Sequence, residues 1–126
     1  MMSILELADI LLDRTTEDEV GRGEIQGILS DCCPRWTDRE QEEIAHKALN
    51  LLLELGLIHA KWGIPFSNDS HLALVDAKKL LEKVEIMAPV INFLHSEQIT
   101  FVATDDGWDY YRTGRKLARD LDSGNN

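Results

Sequence analysis

Thr37-Asp38-Arg39-Glu40-Gln41-Glu42-Glu43-Ile44-Ala45-His46-Lys47-Ala48-Leu49-Asn50-Leu51-Leu52-Leu53-Glu54-Leu55-Gly56 is the stretch on which the fold turns. Thr37 and Glu40 form a capping box, in which the hydroxyl and the carboxylate satisfy the free amides of a starting helix. Ile44, Ala45, Ala48, Leu49, Leu51, Leu52 and Leu55 then recur on one broad face, with Arg39, Glu43, His46, Lys47, Asn50 and Glu54 opposite. Gly56 stands where a helix end favours a residue without Cβ. The longest helix of the chain is therefore predicted from Thr37 to Leu55, with Leu53 left exposed on its polar side.

Towards the N-terminus, Ser3-Ile4-Leu5-Glu6 is a second capping box. Ile4, Leu7, Ala8 and Leu11 follow at helical spacing, and Arg14 and Thr15 are expected to end this amphipathic helix. Gly21, Gly23 and Gly27 weaken helical propensity further on, so only a short helix from Glu24 to Ser30 is expected before Pro34. Beyond Gly56, Leu57 to Trp62 reads as a strand, and Gly63, Pro65, Asn68 and Asp69 mark a loop. Leu72 to Val84 is helical in pattern with Leu80, Leu81 and Val84 inward, although His71 to Val75 could begin as a strand. Pro89 suits the first turn of a short helix to Leu94. Ile99 to Ala103 has strand composition, and Thr104 is placed to cap a last helix ending near Leu121. The expectation is one domain over residues 1–122, α+β and predominantly helical, with a disordered tail at 123–126.

Two stretches resemble winged-helix domains. Leu52-Leu53-Glu54-Leu55-Gly56-Leu57-Ile58 is similar to the exit from the third helix into the wing. Phe101-Val102-Ala103-Thr104-Asp105-Asp106-Gly107 resembles the second wing strand entering a C-terminal helix. The resemblance implies a winged-helix-like fold with a helical insertion between the two wing strands, because 35 residues, Gly63 to Glu97, separate them where the family has a tight hairpin. It also implies that the third helix would be the one to enter DNA. Here its outward face mixes Arg39 and Lys47 with Glu42, Glu43 and Glu54, a poor match to phosphate.

The charge balance points the same way. With 23 acidic and 13 basic residues the chain carries a net charge of -10. Residues 1 to 33 hold eight acids and two bases, so six of the ten excess charges lie in that segment. Such a field repels nucleic acid and steers a basic protein partner inward. Hydrophobic residues make up 44% and charged residues 29%, ordinary globular usage without a bilayer-spanning run. Met1 to Ile10 includes Glu6 and Asp9 and lacks a secretion-signal pattern, which makes a cytoplasmic location the expectation. Cys32 and Cys33 are adjacent and poorly placed to bridge each other, so both are read as free thiols. No zinc-type spacing joins them to His46 or His59, and neither a metal nor a cofactor is expected.

Trp108, Arg112, Arg115, Lys116 and Arg119 fall on one side of the expected last helix. They would form a basic stripe beside an aromatic anchor, with Tyr111, Gly114, Ala118 and Leu121 buried behind. The plainer alternative is cations complementing a helix C-terminus. Glu17, Asp18 and Glu19, with Glu24 and Asp13 nearby, form an acidic patch able to attract a cationic surface, or simply a solvated connection. Trp36 and Trp62 read as core-edge residues. No nucleophile beside a base, carboxylate pair or phosphate-binding loop stands out; His95 with Glu97 and the Gly21-Arg22-Gly23 turn are too slight. The expected function is therefore a non-enzymatic acidic protein-binding module, of the inhibitor or immunity-protein kind, with a winged-helix transcriptional regulator as the alternative. Exposed Leu53 hints at a homodimer.

Overall fold

A computed structural model describes residues 2–66, 71–90 and 95–121. Both capping boxes form. Ser3 accepts from the Glu6 amide at 3.1 Å while the Glu6 carboxylate accepts from the Ser3 amide, starting α1 (Ile4–Glu17). Thr37 and Glu40 do the same for α3 (Asp38–Glu54). Between them lie β1 (Val20–Gly21) and α2 (Arg22–Cys32). α1 runs past its expected end because the buried Thr15 and Thr16 hydroxyls donate back to the Leu12 and Asp13 carbonyls. The helix absorbs both threonines without breaking. Gly56, at φ 71°, closes α3. Its amide donates to the Leu53 carbonyl and the Leu57 amide to that of Leu52, the paired bonds of a left-handed helix stop.

The chain then forms β2 (Ile58–Gly63), α4 (Leu74–Lys83), β3 (Gln98–Ala103), α5 (Asp105–Arg112) and α6 (Leu117–Asp120). The three strands make one antiparallel sheet in the order β1-β3-β2. Val20 and Ala60 both register with Phe101, and Trp62 registers with Ile99. Strand alternation therefore turns Val20, Ile58, Ala60, Ile99 and Phe101 towards the helices, and His59, Lys61 and Thr100 to the other face. α1 and α3 pack on the first face, burying Leu7, Leu11, Leu49, Leu52 and Phe101 in one continuous core. The architecture is α+β and mainly helical, as the pattern predicted.

Between the two long strands, residues 71–90 wrap back onto α3. His71 bridges to Lys61 and the Leu72 amide donates to the Ala60 carbonyl at 2.8 Å, so the segment begins extended and turns helical at Leu74. α4 lies over α3, which explains a correction: Leu53, expected to be exposed, is only 5% exposed, whereas Leu55, expected inside, is 43% exposed at the helix end. With Leu53 covered, the hint of a dimer that rested on it falls away. The turn that follows α4 is clasped by side chains. Glu42 accepts from the Ile86 and Met87 amides at 2.7 and 2.9 Å, and Arg22 and Gln26 donate to the carbonyls of Glu85, Ile86 and Ala88. Pro89 and Val90 lie outside any helix, and residues 91–94 of the helix expected there fall outside the described residues, as does the expected tail at 123–126.

The expected single C-terminal helix is two. Gly114, at φ 75°, ends α5, and the Asp9 carboxylate on α1 accepts from the Leu117 and Ala118 amides at 2.7 and 3.0 Å to start α6. Leu117 is buried beneath this cap. At the other end of α5, the Thr104 hydroxyl accepts from the Gly107 amide and donates to the Gly56 carbonyl. A Cβ on Gly107 would lie 2.0 Å from the Leu57 carbonyl oxygen, so only glycine permits this approach. No helix among the described residues is long and apolar enough to cross a membrane.

Candidate functional site

The outer face of the sheet carries an ion pair. Lys61 Nζ on β2 lies 2.6 Å from Glu19 Oε1 in the connection between α1 and β1, and both side chains are at least nine-tenths buried. Glu19 Oε2 also accepts from the Phe66 amide at 2.9 Å. Burial alone would raise the Glu19 carboxyl. The Lys61 ammonium, the Phe66 amide and the Thr100 hydroxyl outweigh it and hold the group below its ordinary range. This overturns one expected surface residue: Glu19 is an internal bond, while Glu17 and Asp18 remain exposed next to it.

The bond to Glu19 fixes the loop above the sheet. Phe66 has φ 62°, a conformation that is uncommon for a bulky residue and costs on the order of 1–3 kcal/mol, which its surroundings must offset. Its ring is nevertheless 55% exposed, and Trp62, Ile64, Leu74 and Val75 are exposed on either side of it in the chain. Trp62, expected at the core edge, is 43% exposed. The sequence signal for this surface was Ile64-Pro65-Phe66, an apolar triplet inside a turn where polar residues are the rule.

Beside it, the imidazoles of His59 on β2 and His71 are stacked, with ring centroids 4.4 Å apart and planes 24° from parallel. Burial first, and the proximity of His71 second, push the His59 pKa below its ordinary value against the opposing pull of Asp105. Behind the stack is a cleft of about 350 Å³ between the end of α3, β2 and the start of α4.

The expected basic stripe is divided by the break between α5 and α6. Trp108 and Arg112 stay together on α5, with the guanidinium 5.8 Å from the indole centroid and near Asp109. Arg115 turns instead onto Tyr110, 4.4 Å from the ring centroid, and donates to Asp120 at 3.1 Å. Burial and the 2.6 Å bond to Asp120 push the Tyr110 hydroxyl up to about 12. Lys116 becomes the residue that precedes α6, and Arg119 lies exposed upon it. Tyr111, expected to be buried, is exposed, and half-buried Tyr110 takes its place. Cys32 is exposed and Cys33 buried, both as free thiols. Among the described residues no three His, Cys, Asp or Glu side chains gather as metal ligands.

No family model matches the chain, and comparison with curated proteins and with solved structures finds no match either.

Proposed function

We propose that the chain is a non-enzymatic protein-binding module that docks through the exposed apolar side chains of Ile64, Phe66, Leu74 and Val75, with Trp62 nearby in sequence. One observation carries this reading. Ten large hydrophobic side chains are exposed among the described residues, and five of them, Trp62, Ile64, Phe66, Leu74 and Val75, fall between positions 62 and 75. Exposed apolar side chains in this number favour association. Phe66, its amide held by Glu19, is an aromatic anchor whose backbone needs little ordering on binding. Glu17 and Asp18 border the Phe66 end through the Glu19 bond, which suits a partner whose apolar contact is rimmed by basic residues and agrees with the net charge of -10. Binding is favoured over catalysis because two enclosed carboxylates are engaged in holding the fold: Glu19 by Lys61, and the partly buried Glu42 by the turn at Ile86 and Met87.

The pairing of β2 with β3 around an inserted helix supports a winged-helix-like arrangement. The outward side of α3 supports a protein partner over DNA within it. Glu42, His46 and Glu54 there are bonded to the inserted segment, and Leu53 is buried by it. The test is affinity capture from nuclease-treated lysate of the source cells, with wild type beside Phe66→Ser/Val75→Asp and Trp108→Ala/Arg112→Ala variants. A protein held by wild type and by the α5 variant but lost from the loop variant is the expected result. Retention by the loop variant, or recovery of nucleic acid alone from untreated lysate, would refute it.

A further inference from the structure

The cleft behind the histidine stack has its own chemistry. Its space arises from short side chains: Gly56, Ala60, Ala73 and Ala77 face one another where α4 crosses β2. Around them Leu53, Ile58 and Leu72 supply alkyl walls, and Leu53, Ile58, Ala60 and Ala77 are buried. Three polar side chains reach the wall, and two are engaged. Glu54 pairs with Lys78, and the Thr104 hydroxyl bridges the Gly56 carbonyl and the Gly107 amide. His59 is the third. Among the described residues its ring touches His71 face to face, and its nitrogens make no hydrogen bond.

A neutral imidazole offers one N–H donor and one lone pair, and in His59 neither is taken up by another described residue. Small-molecule sites share this composition, mostly apolar walls with a few placed polar groups. The occupant is further restricted by charge. Asp105 lies close enough to act on His59, so a carboxylate would meet like charge, and a cation would find the Glu54 carboxylate already taken by Lys78. We propose that this cleft binds a small uncharged molecule, mostly apolar, that presents one hydroxyl group to the His59 imidazole. The cleft shares Leu74 with the proposed docking surface, but small-molecule binding in it does not depend on that reading.

The probe is p-cresol, titrated into the full chain while methyl NMR resonances are followed, with toluene as the control lacking a hydroxyl. Saturable shifts of the Leu53, Ala60 and Ala77 methyls are expected, with toluene weaker by about tenfold, the worth of one hydrogen bond at the upper end of its usual net value. His59→Phe should weaken p-cresol by a similar factor and leave toluene unchanged. Ala73→Phe, which fills the cleft from its exposed rim, should abolish both; Leu74→Trp serves the same end if the first variant disturbs the fold. Absence of saturable shifts at these methyls up to the solubility of p-cresol would overturn the proposal. So would equal binding of the two probes, or binding that survives both rim variants.

Discussion

Lys61 Nζ and Glu19 Oε1 stand 2.6 Å apart on the side of the sheet that faces away from the helices, beneath the loop that exposes Phe66. Removing one partner strands a buried charge. Glu19→Met alone is expected to destabilise the chain by about 3 kcal/mol, whereas Glu19→Met with Lys61→Met should recover most of that loss, because an apolar pair needs no desolvation. Urea denaturation of the two single variants and the double variant measures the difference.

The same bond sets one limb of the acid response. A carboxyl held below its ordinary 4.5 stabilises the folded state above that value, and the contribution is lost as pH falls through the folded pKa. His59 acts at higher pH and with the opposite charge. Its folded pKa lies below the ordinary 6.5, so the unfolded chain takes up a proton first and stability begins to fall as pH drops below that value. The groups facing His59 are His71, which adds to the effect, and Asp105, which opposes it. Denaturation midpoints followed from pH 8 down to pH 2.5 should therefore fall in two steps, and His59→Phe should remove the upper one.

Gly107→Ala places a methyl group 2.0 Å from the Leu57 carbonyl oxygen, which is backbone and cannot swing aside. A loss of about 3 kcal/mol is expected, at the upper end of overpacking costs. Gly27→Ala, with nothing within 4 Å of the added carbon, should be neutral or slightly stabilising by thermal melting.

Asp9→Ala removes the carboxylate on α1, near the other end of the chain, that starts α6. The cap is worth about 1–2 kcal/mol. Hydrogen exchange should speed up at the Leu117 and Ala118 amides while the α3 amides keep their protection.

What the sequence disclosed and what it hid follow the range of the forces involved. The caps at Ser3 and Thr37 and the stop at Gly56 act over three or four residues, and local sequence suffices to place all three. Leu53 was misplaced because its cover, α4, begins some twenty residues later and leaves no mark on the periodicity of α3. Glu19 looked like surface because Lys61 is 42 residues away along the chain. The basic stripe failed for a similar reason. Arg112 and Arg115 would share a face only on an unbroken helix, and the break draws on Asp9, 108 residues from Leu117. Exposure of Phe66 depended on that same long-range bond to Glu19.

Site-specific photo-crosslinking in the source cells tests the protein-docking surface most directly, with a benzophenone side chain placed at Val75 in one strain and at Arg112 in another. Val75 is 63% exposed, so the probe is accommodated without disturbing the core. The docking proposal requires a discrete crosslinked protein at Val75 that disappears when Phe66→Ser is added, and none at Arg112. A discrete product at Arg112 with none at Val75 would contradict it and return the interface to α5.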